Sequence, residues 1–360
     1  MVFVGGPRQV GKTTFCTSYL EPPNEQSPNY FSWDDALDQQ AILTAKLPKI
    51  EGLIVFDEIH KFAKWRQFVK GFYDKNKSTQ KIIVTGSARL DHYRKGGDSL
   101  MGRYHYYRLH PFSLNEISKN PTKSDLEALM KYGGFPEPFF KQDETFHRRW
   151  QRERVKKVVE EDLRDLDRVK EVTLISLMVN HLTDCVGSPL SINQQSKLLQ
   201  VAHATAKSWI EILEALYLVF RVSPYGSPKI RAVKKEQKLY FWDFTQVSDA
   251  GARFENLVAS HLLKYCHFIE DTLGHDMELR YLRDTDGRET DFVVLRDHQP
   301  EFAVECKVSD RILDKNLKYF KKKIEEIPMW YQVHLGEKDY LDQDIRVLPF
   351  PAFCKEVGLV

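Results

Sequence analysis

The sequence predicts an α/β protein in three parts: a parallel sheet wrapped by helices, a helix-rich middle region and a second α/β domain. Three observations carry this. A glycine-rich loop, GGPRQVGKTT, follows the short apolar strand VFV at residues 2–4. Two more apolar strands, GLIVFDEIH at 52–60 and KIIVTGSA at 81–88, alternate with amphipathic stretches at 35–46 and 65–75. That alternation reads as a parallel sheet covered by helices. The last third changes rhythm: an amphipathic helix, GARFENLVASHLLKYC at 251–266, precedes the strand–turn–strand GRETDFVVLRDHQPEFAVECKVS at 287–309.

A length of 360 residues accommodates two or three domains. The 53 basic and 51 acidic residues leave a net charge of +2, so nucleic-acid binding must be argued from local patches. Cys16, Cys185, Cys266, Cys306 and Cys354 stand singly, which indicates neither a zinc site nor a disulfide framework and fits a reducing compartment. No apolar run reaches the roughly 18–20 residues of a membrane helix. The opening MVFVGG has neither the basic flank nor the length of a signal peptide. The chain is therefore expected in the cytoplasm, without a membrane partner.

Gly6, Gly11, Lys12 and Thr13 satisfy the pattern G-x-x-x-x-G-K-[ST]. Residues Gly6, Pro7, Arg8, Gln9, Val10, Gly11, Lys12, Thr13 and Thr14 would wrap phosphate groups with inward-turned backbone N–H groups, aided by the partial charge of the next helix. Lys12 would reach the β- and γ-phosphates, and the Thr13 hydroxyl would join the shell of a Mg²⁺ ion. Asp57, closing the second strand, would hold the same ion, and Glu58 would polarise an attacking water. Thr85 and Ser87 close the third strand, where a hydroxyl can sense the γ-phosphate. All these residues fall at strand carboxyl ends, where ligands bind in such sheets. ATP with Mg²⁺ is the expected cofactor. TKSD at 122–125 has the form of a guanine-reading motif, but it follows SKNP and not an apolar strand.

In the middle, FHRRWQRERVKKVVEEDLRDLDR (146–168) reads as a long helix whose charges pair at i,i+4 along a solvated face, with a phosphate-contacting helix as the alternative. Downstream, Ser191 can cap a helix over INQQSKLLQ. A turn near Val201–His203, a second helix ATAKSWIEILEALYL and the strand VFRVSPY follow. This is the order of a winged helix, placed at about residues 170–235. Lys207 and Ser208 on the second helix, with PKIRAVKKEQK (228–238) as a basic wing, would face DNA. Packing or oligomerisation is the other use of such a module.

In the final third, a turn centred on His298 puts Asp291, seven residues before it, opposite Glu305, seven residues after it. Their Cβ atoms would then lie roughly 4.5–5.5 Å apart. Lys307 shares that face because strand side chains alternate. Two carboxylates so close repel unless a proton or a cation sits between them.

Together GGPRQVGKTT, LIVFDEIHKFAKW, IIVTGSARL, LMGRYHYYRLHPFSLNEI and YGGFPEPF resemble a prokaryotic AAA+-type ATPase family with a C-terminal domain of poorly defined function. The resemblance spans nearly the whole chain, with the motifs in order. The chain then divides into a P-loop AAA+-type domain at 1–114, a helical connector with the winged-helix module at 115–244, and a last domain at 245–360. The resemblance also implies that Arg103, in LMGRY, is a catalytic arginine finger or γ-phosphate sensor. Acting across an interface, it would require a homo-oligomer. The plain alternative is an arginine opening an exposed strand, and Arg89 is a weaker candidate. Family members carry a further segment ahead of the phosphate loop, including a helix that closes the pocket. A chain starting at Met1 is therefore expected to discriminate poorly between ATP and GTP.

The D…ExK layout resembles the PD-(D/E)XK nuclease superfamily and its restriction-endonuclease-like α/β fold, with Thr290 where the pattern has proline. This implies a second Mg²⁺ or Mn²⁺ on Glu255, Asp291 and Glu305, with Lys307 catalytic. Two functions are open: an ATPase whose cycle controls a nucleic-acid-directed, nuclease-like domain, or a nucleotide-dependent regulatory or assembly protein whose last domain is an interaction scaffold.

Overall fold

The computed structural model describes residues 1–44, 46–47, 51–86, 100, 102–162, 171–226, 236–310 and 312–359. Ser87, Arg89 and most of the expected basic wing lie outside these residues. The chain forms two compact units, one mainly Met1–His110, the other mainly Pro111–Glu160, Val169–Glu214 and Leu218–Val360. Among the described residues no helix is long and apolar enough to cross a membrane.

The first unit runs β1 (Val2–Gly5), α1 (Lys12–Thr17), β2 (Tyr30–Ser32), α2 (Ala36–Leu43), β3 (Gly52–Asp57), α3 (Trp65–Asn76), β4 (Gln80–Gly86) and β5 (His105–Arg108). Its sheet has the order β2-β3-β4-β1-β5, and every pairing is parallel. All five carboxyl ends therefore share one edge. The apolar strand runs are explained by burial on both faces, as parallel sheets require. Phe3, Ile54, Phe56, Ile82 and Val84 pack with Trp65 and Val69 of α3 on one side. Val4 and Val55 pack with Cys16 and Leu20 on the other. Helix α2 starts where the Asp35 side chain accepts from the N–H groups of Leu37 and Asp38. Strands β2 and β5, short and partly polar, flank the three strands foreseen from sequence.

The second unit holds α4 (Leu114–Ile117), α5 (Lys123–Tyr132), α6 (Pro136–Lys141), α7 (Glu144–Lys157), α8 (Val172–Leu182), α9 (Ile192–Leu198) and most of α10 (His203–Ala215). TKSD is a helix start. Thr122 accepts from Asp125 N–H and Asp125 accepts from Thr122 N–H, a reciprocal capping box that begins α5. Ser191 caps α9 by accepting from Gln194 N–H, as its sequence position suggested.

After α10 come β6 (Val219–Pro224) and β7 (Lys238–Phe241), an antiparallel pair. The remaining elements are α11 (Ala250–Leu273), β8 (Met277–Arg283), β9 (Glu289–Arg296), β10 (Gln299–Lys307), α12 (Lys315–Lys323), β11 (Met329–His334), β12 (Tyr340–Asp342), β13 (Ile345–Pro349) and α13 (Phe350–Val357). Strands from both sides of the expected boundary at 244/245 share one sheet. One eight-stranded sheet, β12-β13-β11-β10-β9-β8-β6-β7, runs across it. The reason is local: β6 has a free edge beyond β7, and β8 takes it through Ser223↔Arg280 and Pro224↔Tyr281.

The β9–β10 turn lies between Asp297 and His298, both at positive φ, and is not centred on His298. A bulge between Pro300 and Phe302 then shifts the register, so that Val304 faces Phe292. Asp291 and Glu305 still come level, by way of that bulge.

Strand β7 ends the sheet, and a fully buried Asn256 of α11 closes its outer edge. Asn256 Oδ1 accepts from Phe241 N–H at 2.9 Å and its Nδ2 donates to Phe241 O at 2.8 Å. Asn256→Ala leaves both backbone groups unpaired in the core. It should cost about 2–6 kcal/mol in urea unfolding, at 1–3 kcal/mol per orphaned group.

Candidate nucleotide site and acid cluster

The phosphate loop leaves the carboxyl end of β1 through strained backbone. Gly6 and Gly11 have φ of +153° and +94°, and Gln9 has +62°. A Cβ at Gly6 would overlap the Leu109 carbonyl oxygen, so glycine is required there for close approach as well as for φ. The buried Lys12 ammonium donates to Gly6 O at 3.1 Å and Pro7 O at 2.8 Å, which holds it over the loop. Burial pushes the Lys12 pKa down, while the charges of Glu58 and Asp57 pull the other way.

Strands β1, β3 and β4 bring the remaining groups to this edge: Asp57 pairs with Thr85, which pairs in turn with Val4. Asp57 Oδ2 accepts from Thr13 Oγ1 at 2.7 Å and from Tyr30 OH at 2.8 Å. Asp57 Oδ1 is buried and has no hydrogen-bond partner among the described residues; the same holds for the Thr85 hydroxyl. Burial raises the Asp57 pKa, Thr13 opposes this, and Glu58 adds to it. A divalent cation fits such a donor set, because an orphaned carboxylate oxygen sits beside a hydroxyl in an anionic pocket. Thr13 and Asp57 are the residues that would hold it.

Glu58 follows with φ +52° and ψ +19°, left-handed backbone that costs a non-glycine residue on the order of 1 kcal/mol or more. Its N–H donates to Thr85 O at 3.0 Å, and its carboxylate lies 3.6 Å from His60 and 3.9 Å from Lys61. Burial pushes His60 down to about 4, so this ring is neutral near pH 7. Tyr30 and His60 escaped the sequence reading. The available signals were an aromatic strand, NYFSW, ahead of β3 and the histidine of DEIH.

Arg103 is not brought to this edge. It precedes β5, whose His105 pairs with Val2 at the opposite end of the sheet, and its guanidinium bonds Asp74 of α3 at 3.1 Å. Five residues of strand separate Arg103 from the level of the loop, roughly 15 Å. Within its own chain Arg103 therefore stands at the opposite end of the sheet from the phosphate loop.

In the second unit Asp291, Glu305 and Lys307 gather at the open end of the β9–β10 ladder. Glu305 Oε2 accepts from Asp291 N–H at 3.3 Å, and Asp291 Oδ2 accepts from Cys306 N–H at 2.8 Å. The two carboxylates thus stand in for ladder bonds where the strands part. Burial, reinforced by Asp291, holds the Glu305 carboxyl well above the usual range. Lys307 reaches Glu305 at 2.6 Å and Asp314 at 3.1 Å. Burial would lower its pKa, but these two carboxylates hold it above the ordinary value. Glu255 lies in the second turn of α11. It accepts from Tyr240 OH at 2.8 Å, and burial together with Asp291 pushes it up to about 7.

The group that sequence reasoning misplaced is Lys238. Read as the last residue of a basic wing, it is instead the first residue of β7 and 1 % exposed. Its ammonium lies 3.2 Å from Glu289, 3.4 Å from Glu255 and 3.5 Å from Asp291. The expected second metal does not fit this arrangement, because a cation already stands among the acids.

Residues 1–118 match the family profile of the AAA domain, residues 123–247 a domain of unknown function (DUF8612) and residues 250–353 another (DUF4143). An uncharacterized protein of Methanocaldococcus jannaschii, MJ1544, is 22% identical over 90% of this chain and 78% of its own length. The uncharacterized Rv2008c of Mycobacterium tuberculosis is 22% identical over 68% of this chain and 54% of its own. The structure of the Aeropyrum pernix ORC1 protein in complex with DNA aligns at 14% identity and a TM-score of 0.35, covering 72% of this chain and 86% of that one, too loose a likeness to bear on function. The matched profile and the loop-bearing parallel sheet together identify the first third of the chain as a P-loop α/β domain of the AAA type.

Proposed function

We propose that the first unit binds and hydrolyses ATP and that the second unit is what this cycle controls. The observation that carries the reading is the convergence of Lys12, Thr13, Asp57, Glu58 and Thr85 at one sheet edge. Lys12 binds the β- and γ-phosphates, Thr13 and Asp57 hold the cation site, Glu58 orients and deprotonates the attacking water, and the Thr85 hydroxyl reads the γ-phosphate. Bound Mg²⁺ supplies neutralisation of phosphate charge. Phosphate release by the purified chain with ATP and Mg²⁺, compared with Lys12→Ala, tests the proposal; equal rates in the two would overturn it.

Arg103 serves this reaction only from a second copy, its distance from its own loop being too great. Arg103→Ala should keep ATP binding and lose on the order of 10³-fold in turnover, the scale of an arginine finger. Mixing it with Lys12→Ala chains should restore part of the rate, because each intact loop then meets an intact arginine. No restoration, or no loss to restore, would contradict a role in trans.

For the second unit we propose a nucleic-acid-directed binding role. The order α8, α9, α10, β6, β7, with Pro189 bridging to Lys238, supports a winged-helix reading, and Lys207 and Ser208 are exposed on α10. Lys207 pairs with Glu211 at 3.6 Å, so that face is mixed in charge. DNA affinity should fall in Lys207→Glu; unchanged affinity favours the scaffold reading. Phosphodiester cleavage is no part of the proposal, since every acid of the D…ExK set already has protein partners.

A further inference from the structure

We propose that Lys238 supplies, from within the chain, the positive charge that a D…ExK layout otherwise takes from a divalent metal. The acid cluster of the second unit is then a closed ionic centre and not a metal site. The ammonium is within 3.5 Å of carboxylates on α11 and at two positions of β9. It also lies 5.4 Å from the centre of the Tyr281 ring, whose face favours a cation. Its backbone is fixed in the sheet, opposite Val222 on one side and bridged to Pro189 on the other. Each of the three carboxylates already accepts from a protein group: Tyr240 OH on Glu255 Oε1, Cys306 N–H on Asp291 Oδ2, and Asp291 N–H and Lys307 on the two oxygens of Glu305.

A divalent ion binding these carboxylates at about 2.0–2.5 Å would stand against a buried ammonium with little solvent to screen the repulsion. Among the described residues the trio with ligand atoms in mutual reach is a different one, Asp276, Glu278 and His298. Two of its members are exposed, and Glu278 is already paired with Arg280 and His298. It therefore gives no substitute site.

The test is Mn²⁺ binding, followed by the loss of the free-ion electron paramagnetic resonance signal. The full-length chain is used without nucleotide, in an Asp57→Asn background that removes the phosphate-loop site. With Lys238 present, Asp291→Asn should leave Mn²⁺ uptake unchanged. Lys238→Met should gain one bound Mn²⁺ per chain, lost again when Asp291→Asn is added. A Mn²⁺ held by the Lys238 protein and lost in Asp291→Asn overturns the proposal, and so does a folded Lys238→Met that takes up none. Should Lys238→Met fail to fold, Lys238→Arg decides: a folded protein without Mn²⁺ supports the internal cation, and Mn²⁺ uptake refutes it.

Discussion

Lys12→Ala is expected to abolish ATP binding at the concentrations where the native chain saturates. Lys12 is the buried cation that reaches back over the loop to Gly6 and Pro7. Removing it takes away the loop's buried ammonium and leaves the β- and γ-phosphates to backbone N–H groups, the Thr85 hydroxyl and the bound Mg²⁺. Truncating one partner of a buried, hydrogen-bonded charge pair costs about 2–5 kcal/mol, roughly 30- to several-thousand-fold in Kd. Titration of a fluorescent ATP analogue would measure it. The fold should survive, because the hydrogen bonds of the Lys12 ammonium go to its own loop at Gly6 and Pro7. Unchanged affinity in a folded Lys12→Ala protein would place the nucleotide elsewhere.

Lys238→Met should be the most damaging single change in the second unit, lowering its stability by about 3–5 kcal/mol in metal-free buffer. The loss comes from what is left behind: Glu255 and Asp291 crowd together with little water and no ammonium between them, and Glu289 keeps only its Arg283 partner. Lys307→Met is the control. That ammonium is 37% exposed, so solvent takes over much of its role and the cost should stay near 1 kcal/mol. Urea unfolding followed by circular dichroism separates the two variants. Equal, small losses would show that Lys238 is not the charge that holds the cluster together.

The sequence made the first unit legible because its signals are local. A phosphate loop needs glycines at fixed spacing, and fully buried parallel strands announce themselves as apolar runs, as in β1, β3 and β4. Strand β2 stayed hidden because flanking positions ask less of their residues, and β5 was legible only as the exposed strand after Arg103, since HYYR carries no alternation to read. Asp57 and Glu58 were visible as the end of a strand, whereas Tyr30 was not, since its hydroxyl reaches Asp57 only through the β2–β3 pairing. Arg103 was recognisable as a motif residue, but which sheet edge it occupies depends on β5 running parallel to β1.

The second unit shows the opposite case. The pairing of Asp291 with Glu305 was foreseen from a turn at His298, and a bulge compensates for the turn's true position. Lys238 could not be placed from its neighbours, because KKEQK looks like solvent-exposed charge. Its burial follows from β6 and β7 joining a sheet whose other members come forty residues and more downstream. Nonlocal pairing of that kind changes a wing lysine into the centre of an acid cluster.

In the proposed reaction ATP is hydrolysed at the edge formed by Asp57 and Glu58, with binding and chemistry assigned to different side chains. Single-turnover hydrolysis of bound ATP by Glu58→Gln tests this most directly, with affinity measured on the same sample. The amide keeps the shape of the left-handed turn and leaves Thr13 and Asp57 in place, but it cannot take a proton from water. Binding should stay within a few-fold of native while hydrolysis slows by roughly 10²–10⁴-fold, the usual contribution of a general base. Hydrolysis at the native rate, or a loss of binding as large as that of Lys12→Ala, would contradict it.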